Sequence, residues 1–65
     1  MWTVIYIAKN KKSAERTQEL LAQEGMLAKI QPINKSADKK DGYYEVLVPE
    51  GEAEDAQNII YEAGL

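Results

Sequence analysis

Apolar residues in this chain recur in two ways, as short extended runs and as stripes at helical spacing, and the two kinds alternate. Trp2 to Ala8 is rich in β-branched and aromatic residues and ends where Lys9, Asn10 and Lys11 break the pattern, which predicts a first strand. Ala14, Thr17, Leu20 and Leu21 then follow the i, i+3, i+6, i+7 spacing of one helix face. Asn10 or Ser13 can cap that helix, and Gly25 supplies its left-handed stop after Glu24. Leu27 to Ile33 predicts a weaker second strand, interrupted by Lys29, Gln31 and Pro32. Pro32 cannot donate to a ladder and so places this strand at a sheet edge. A polar loop, Asn34 to Gly42, leads into a third strand from Tyr43 to Val48. After Pro49 a helix is expected from about Glu50 to Ala63, with Glu50, Glu52, Glu54 and Asp55 at its positive end and Gly64 closing it.

The helical stripe repeats. Ala14, Thr17, Leu20, Leu21 and Gly25 recur 39 residues later as Ala53, Ala56, Ile59, Ile60 and Gly64, and the same offset carries Ile5 and Ile7 to Tyr44 and Val46. Two strand-helix units packed side by side need this, because both helices must bury the same stripe on one sheet. A right-handed crossover makes strands one and two parallel, and strand three can enter between them, antiparallel to both. The expected architecture is α+β: a single βαββα domain over residues 1–65, a ferredoxin-like sandwich lacking the fourth strand. Its three-stranded antiparallel sheet has the order 1-3-2, with two helices on one face. A meander of order 1-2-3 is the alternative, and it would put the proline-bearing strand in the centre.

At 65 residues, such a domain buries only about 60% of the surface its unfolded chain exposes, which favours association as a source of stability. The absence of cysteine and histidine excludes a disulfide framework, thiolate chemistry, an imidazole base and the usual zinc ligand sets. The longest apolar run, Val4 to Ala8, is too short to span a bilayer, and no basic segment precedes it as in a signal peptide, so a cytoplasmic protein away from the membrane is expected. The net charge of −3 hides an asymmetry: residues 1–40 carry 8 basic and 4 acidic groups, residues 41–65 carry 7 acidic groups and no basic one. A net acidic chain is a poor ligand for phosphate backbones, which argues against nucleic acid as a partner.

If Ile5, Ile7, Ala28, Ile30, Tyr44, Val46 and Val48 meet the helices, the pleat sends Trp2, Val4, Tyr6, Tyr43, Glu45 and Leu47 to the opposite face, with Lys29 and Gln31. That face is more apolar than a small monomer leaves uncovered. A second copy of the chain is the first expected cover, through the face or through the uncharged edge of strand one; a protein partner or small ligand is the second, and a stacked nucleic acid the last.

A second candidate site is the loop entering helix one, where Lys9, Lys11, Lys12 and Ser13 sit beside unpaired N–H groups and could hold a small anion or nucleotide. The loop contains no glycine, and neither G-x-G-x-x-G nor a P-loop is present, so solvated lysines are the first explanation and anion binding the alternative. Glu50, Glu52, Glu54 and Asp55 match no calcium loop and are explained by the helix start, so no metal is expected. Glu45 beside Tyr43 reads as a cross-strand neighbour rather than a general base, and Ser13 and Ser36 have no histidine to activate them. No catalytic residue, cofactor or enzymatic activity is therefore expected.

The opening MWTVIYIAKNKKSAE, the passage Gly25-Met26-Leu27-Ala28-Lys29 and the stretch EVLVPEGEAEDAQNII together resemble a short bacterial family of prokaryotic signal-transducing proteins. That family is a domain of unknown function with a fold similar to the nitrogen-regulatory PII-like ferredoxin group. The resemblance covers nearly the whole chain and rests on a strand-to-helix join and on the helix start at Val48, Pro49 and Glu50. It implies a regulatory role, with the Asn34 to Gly42 loop contacting a partner. Short relatives from Firmicutes carry a glutamate decarboxylase label, but the pyridoxal-phosphate enzymes that label resembles enclose their cofactor in a large domain, which 65 residues cannot form.

Overall fold

The computed structural model describes residues 1–33 and 42–65; most of the expected Asn34 to Gly42 loop lies outside them. Its elements are β1 (Trp2–Ala8), α1 (Lys11–Gln23), β2 (Lys29–Pro32), β3 (Tyr44–Pro49), a single 3-10 turn (Glu50–Glu52) and α2 (Ala53–Glu62). The sheet has the order β1-β3-β2, and β3 runs antiparallel to both neighbours, as the split crossover requires. The fold is therefore mixed α+β, and the meander is excluded.

Both helices pack on one face of the sheet. Ala14, Thr17 and Leu21 of α1 and Ala56 and Ile60 of α2 are buried with Ala8, Tyr44, Val46 and Val48. Ile5, Ala28, Ile30, Ala53 and Ile59 pack around this core. Thr17, the one buried polar side chain among the described residues, donates its hydroxyl to the carbonyl of Ser13 at 3.0 Å and so enters the core satisfied.

The 39-residue repeat extends to the helix ends. After α1, the N–H of Gly25 bonds the carbonyl of Ala22 and that of Met26 reaches back to Leu21. After α2, Gly64 bonds Tyr61 and Leu65 reaches Ile60. Each pair is a Schellman closure with glycine in the left-handed region, at φ +84° for Gly25 and +77° for Gly64.

Two boundaries differ from the sequence expectation by more than one residue, and one register differs as well. Pairing in β2 starts at Lys29 rather than Leu27, because the carbonyl of Ala28 accepts from the Gln18 amide at 2.9 Å and Leu27 would stand opposite Pro49, which has no N–H. The last helix starts at Ala53 rather than Glu50. The Glu50 N–H is held in the strand layer by the Met1 carbonyl at 2.7 Å, and Gly51 follows as a poor helix former, so the chain tightens through one 3-10 turn first.

The third difference changes a face. Thr3 pairs with Val48 and Val4 with Leu47, but Tyr6 pairs with Val46 and Ile7 with Glu45, leaving Ile5 as the extra residue of a β-bulge. Beyond the bulge the alternation is inverted. Tyr6, expected on the open face, packs against the core, while Ile7, expected inside, is 47% exposed on the other side.

Two substitutions test the helix closures. Gly25→Ala and Gly64→Ala should each lower stability in urea by about 1–2 kcal/mol, the cost of placing an L side chain in the left-handed region. Gly51→Ala, where an added Cβ meets nothing within 4 Å and φ is ordinary, should raise it by about 0.4–1 kcal/mol. Equal losses at all three positions would contradict the assignment.

Candidate functional site

The face of the sheet turned away from the helices is built in rows. Val4, Leu47 and Lys29 lie side by side on β1, β3 and β2, and Ile7, Glu45 and Gln31 form the next row. Trp2 precedes the first row on β1. The Ile33 N–H donates to the Tyr43 carbonyl at 3.1 Å, which continues the ladder past the second row and places Ile33 and Tyr43 on the same face. The molecule's shortest dimension is 15 Å, enough for one sheet and one helix layer, so no second layer covers this face among the described residues.

Leu47 is the exception to its openness. It is only 7% exposed, yet it does not belong to the core cluster on the helix side. The cover comes from its flanks. The Lys29 ammonium lies 4.5 Å from the centroid of the Trp2 ring, and since these residues stand on the two outer strands, their side chains meet above the central one. At the next row Gln31 donates to Glu45 Oε1 at 2.8 Å, which orients the carboxylate. Around these two polar pairs Trp2, Val4, Ile7, Ile33 and Tyr43 remain between 38% and 59% exposed.

Of the six residues expected on this face, Trp2, Val4, Tyr43, Glu45 and Leu47 are there and Tyr6 is not. Ile7 takes its place. Ile33 was readable from the alternation of Lys29 and Gln31, which extends by one more step; Ile7 was not, since nothing in the uniformly apolar run Val4 to Ile7 marks a bulge.

The second candidate gathers at the opposite end of β1 from Trp2. Lys9, Lys11 and Lys12 are exposed and Ser13 is half-buried at the start of α1. Asn10 caps this helix, its side-chain oxygen accepting from the Ser13 N–H at 2.8 Å, so that donor is already committed within the chain. The acidic residues Glu50, Glu52, Glu54 and Asp55 are exposed at the far end of β3, which the antiparallel pairing puts beside Trp2. The two ends of the sheet thus carry opposite charge. Among the described residues no group of three acidic side chains is placed to hold a metal, and every buried side-chain polar atom has a partner.

The chain matches no protein-family model, no curated protein and no solved structure. Among the described residues no helix is long and apolar enough to cross a membrane. What the arrangement can do must therefore be read from the sheet face itself: it can bury apolar area against a complementary surface, with Lys29 and Glu45 fixing the orientation.

The cover over Leu47 is testable in the isolated domain. Lys29→Ala should shift the emission of Trp2, the single tryptophan, to longer wavelength and lower stability by about 0.5–1 kcal/mol. An unchanged spectrum would mean that Lys29 does not hold the ring.

Proposed function

We propose that this chain is a non-enzymatic binding domain of the cytoplasm that acts in regulation or signalling, by docking its open sheet face onto a second copy of itself or onto a protein partner. The observation that carries this reading is the gathering of five large, part-exposed apolar side chains on one face of a three-stranded sheet. A small three-stranded domain with few buried side chains gains stability from covering such a face, which favours self-association. The resemblance of its sequence to small bacterial signal-transducing proteins points in the same direction. The lack of histidine and cysteine in the sequence, which removes the usual general base and thiol nucleophile, favours binding over catalysis.

The extent of the face sets the strength to expect. Three strands about 4.8 Å apart and up to seven residues long offer a patch of roughly 14 by 23 Å, below the size of stable specific interfaces and within reach only of a weak, transient one. Association should therefore be weak and visible near about 100 μM. Light scattering after size exclusion should give a dimer mass for the native chain, and Val4→Glu and Tyr43→Glu should each shift it to monomer without loss of circular dichroism, because both side chains are exposed. A native chain that stays monomeric at millimolar concentration would overturn self-association. Variants that remain dimeric would move the interface off this face.

A further inference from the structure

Resting on that reading, we infer that the open face docks on a second copy with the strands of the two sheets antiparallel, related by a two-fold axis that runs across the strands. The arrangement of charge selects this geometry from the two ways of stacking the faces by a two-fold. If the axis ran along the strands, β3 would lie on β3 and Glu45 would oppose Glu45 of the second copy at the centre of the interface. The basic ends of the two sheets, with Lys9 and Lys11, would also coincide, as would the acidic ends with Glu50 and Glu52. Every charged contact would be between like charges.

Turning the axis across the strands reverses each of these. The row Val4-Leu47-Lys29 then faces the row Ile7-Glu45-Gln31 of the second copy, strand upon strand. Val4 meets Ile7, an apolar pair on the outer strand. Leu47 faces Glu45, and the Lys29 ammonium, drawn inward to the Trp2 ring, already lies above Leu47 where that carboxylate arrives. The symmetry forms this ion pair twice, and each basic end comes over an acidic end. A sheet separation of about 10 Å brings the facing side chains into contact. The bulge at Ile5 is needed for this match, since it puts Ile7 rather than Tyr6 opposite Val4.

Charge reversal with mixing tests the proposal. Lys29→Glu alone sets glutamate against Glu45 at both contacts, and Glu45→Lys alone sets lysine against Lys29, so each variant should sediment as a monomer at a concentration where the native chain is dimeric. An equimolar mixture of the two restores both pairs and should recover the dimer, with an affinity at least about tenfold tighter than either variant alone. Raising sodium chloride from 50 to 500 mM should weaken the native dimer, as screening of the complementary ends requires. Circular dichroism of each variant checks that the fold is kept; both positions lie on the surface, and Lys29→Gln with Glu45→Gln serves as a milder pair. A native dimer whose single variants stay dimeric, or whose mixture does not reassociate, would overturn the antiparallel geometry and leave self-association standing. A native monomer would overturn both.

Discussion

Strand β3 is hydrogen-bonded along both edges, to β1 on one side and β2 on the other, and the rest of the structure is arranged around that double pairing. Because β3 enters between two strands already joined through α1, the sheet order and the antiparallel directions are set together, and both helices are left on one side. It is also the strand with both faces covered. Val46 and Val48 are fully buried against the helices, and Leu47 is covered on the other side by the meeting of Lys29 with Trp2. A central strand with one bare face would leave Leu47 in water; here the outer strands supply a cation and an aromatic ring that cover it while keeping the charged head at the surface.

The same pairing separates the charges. Since β1 and β3 run in opposite directions, the lysines after β1 and the glutamates after β3 emerge at opposite ends of one small sheet, although they lie about forty residues apart in sequence. Net charge alone conveys none of this. An apolar face bounded by ends of opposite sign is a surface with a direction, and direction distinguishes a specific contact from general stickiness.

Much of this was legible beforehand. The helices were readable because a 3.6-residue stripe has one solution on a sheet, and the 39-residue echo between Ala14 to Gly25 and Ala53 to Gly64 reappears in burial and in the Schellman closures. The strand half of that echo was misleading: Tyr44 and Val46 face the core, while Ile7 does not. The segment Val4 to Ile7 is apolar at every position, so its pattern does not specify which residue faces which side, and a bulge there carries no signature in side-chain type. The start of α2 was misplaced for a different reason, the Met1–Glu50 backbone bond, which joins residues distant in sequence. Local patterns are legible where only one packing satisfies them, and illegible where a backbone irregularity or a long-range bond decides.

The most direct measurement is an isotope-filtered NOE experiment on an equal mixture of labelled and unlabelled chains, which records contacts between copies and no others. An antiparallel face-to-face dimer gives cross-peaks between the methyl groups of Val4 in one copy and Ile7 in the other, and from the Tyr43 ring to residues near Pro49. Cross-peaks joining Leu47 to Leu47, or Tyr6 to the second copy, would contradict it.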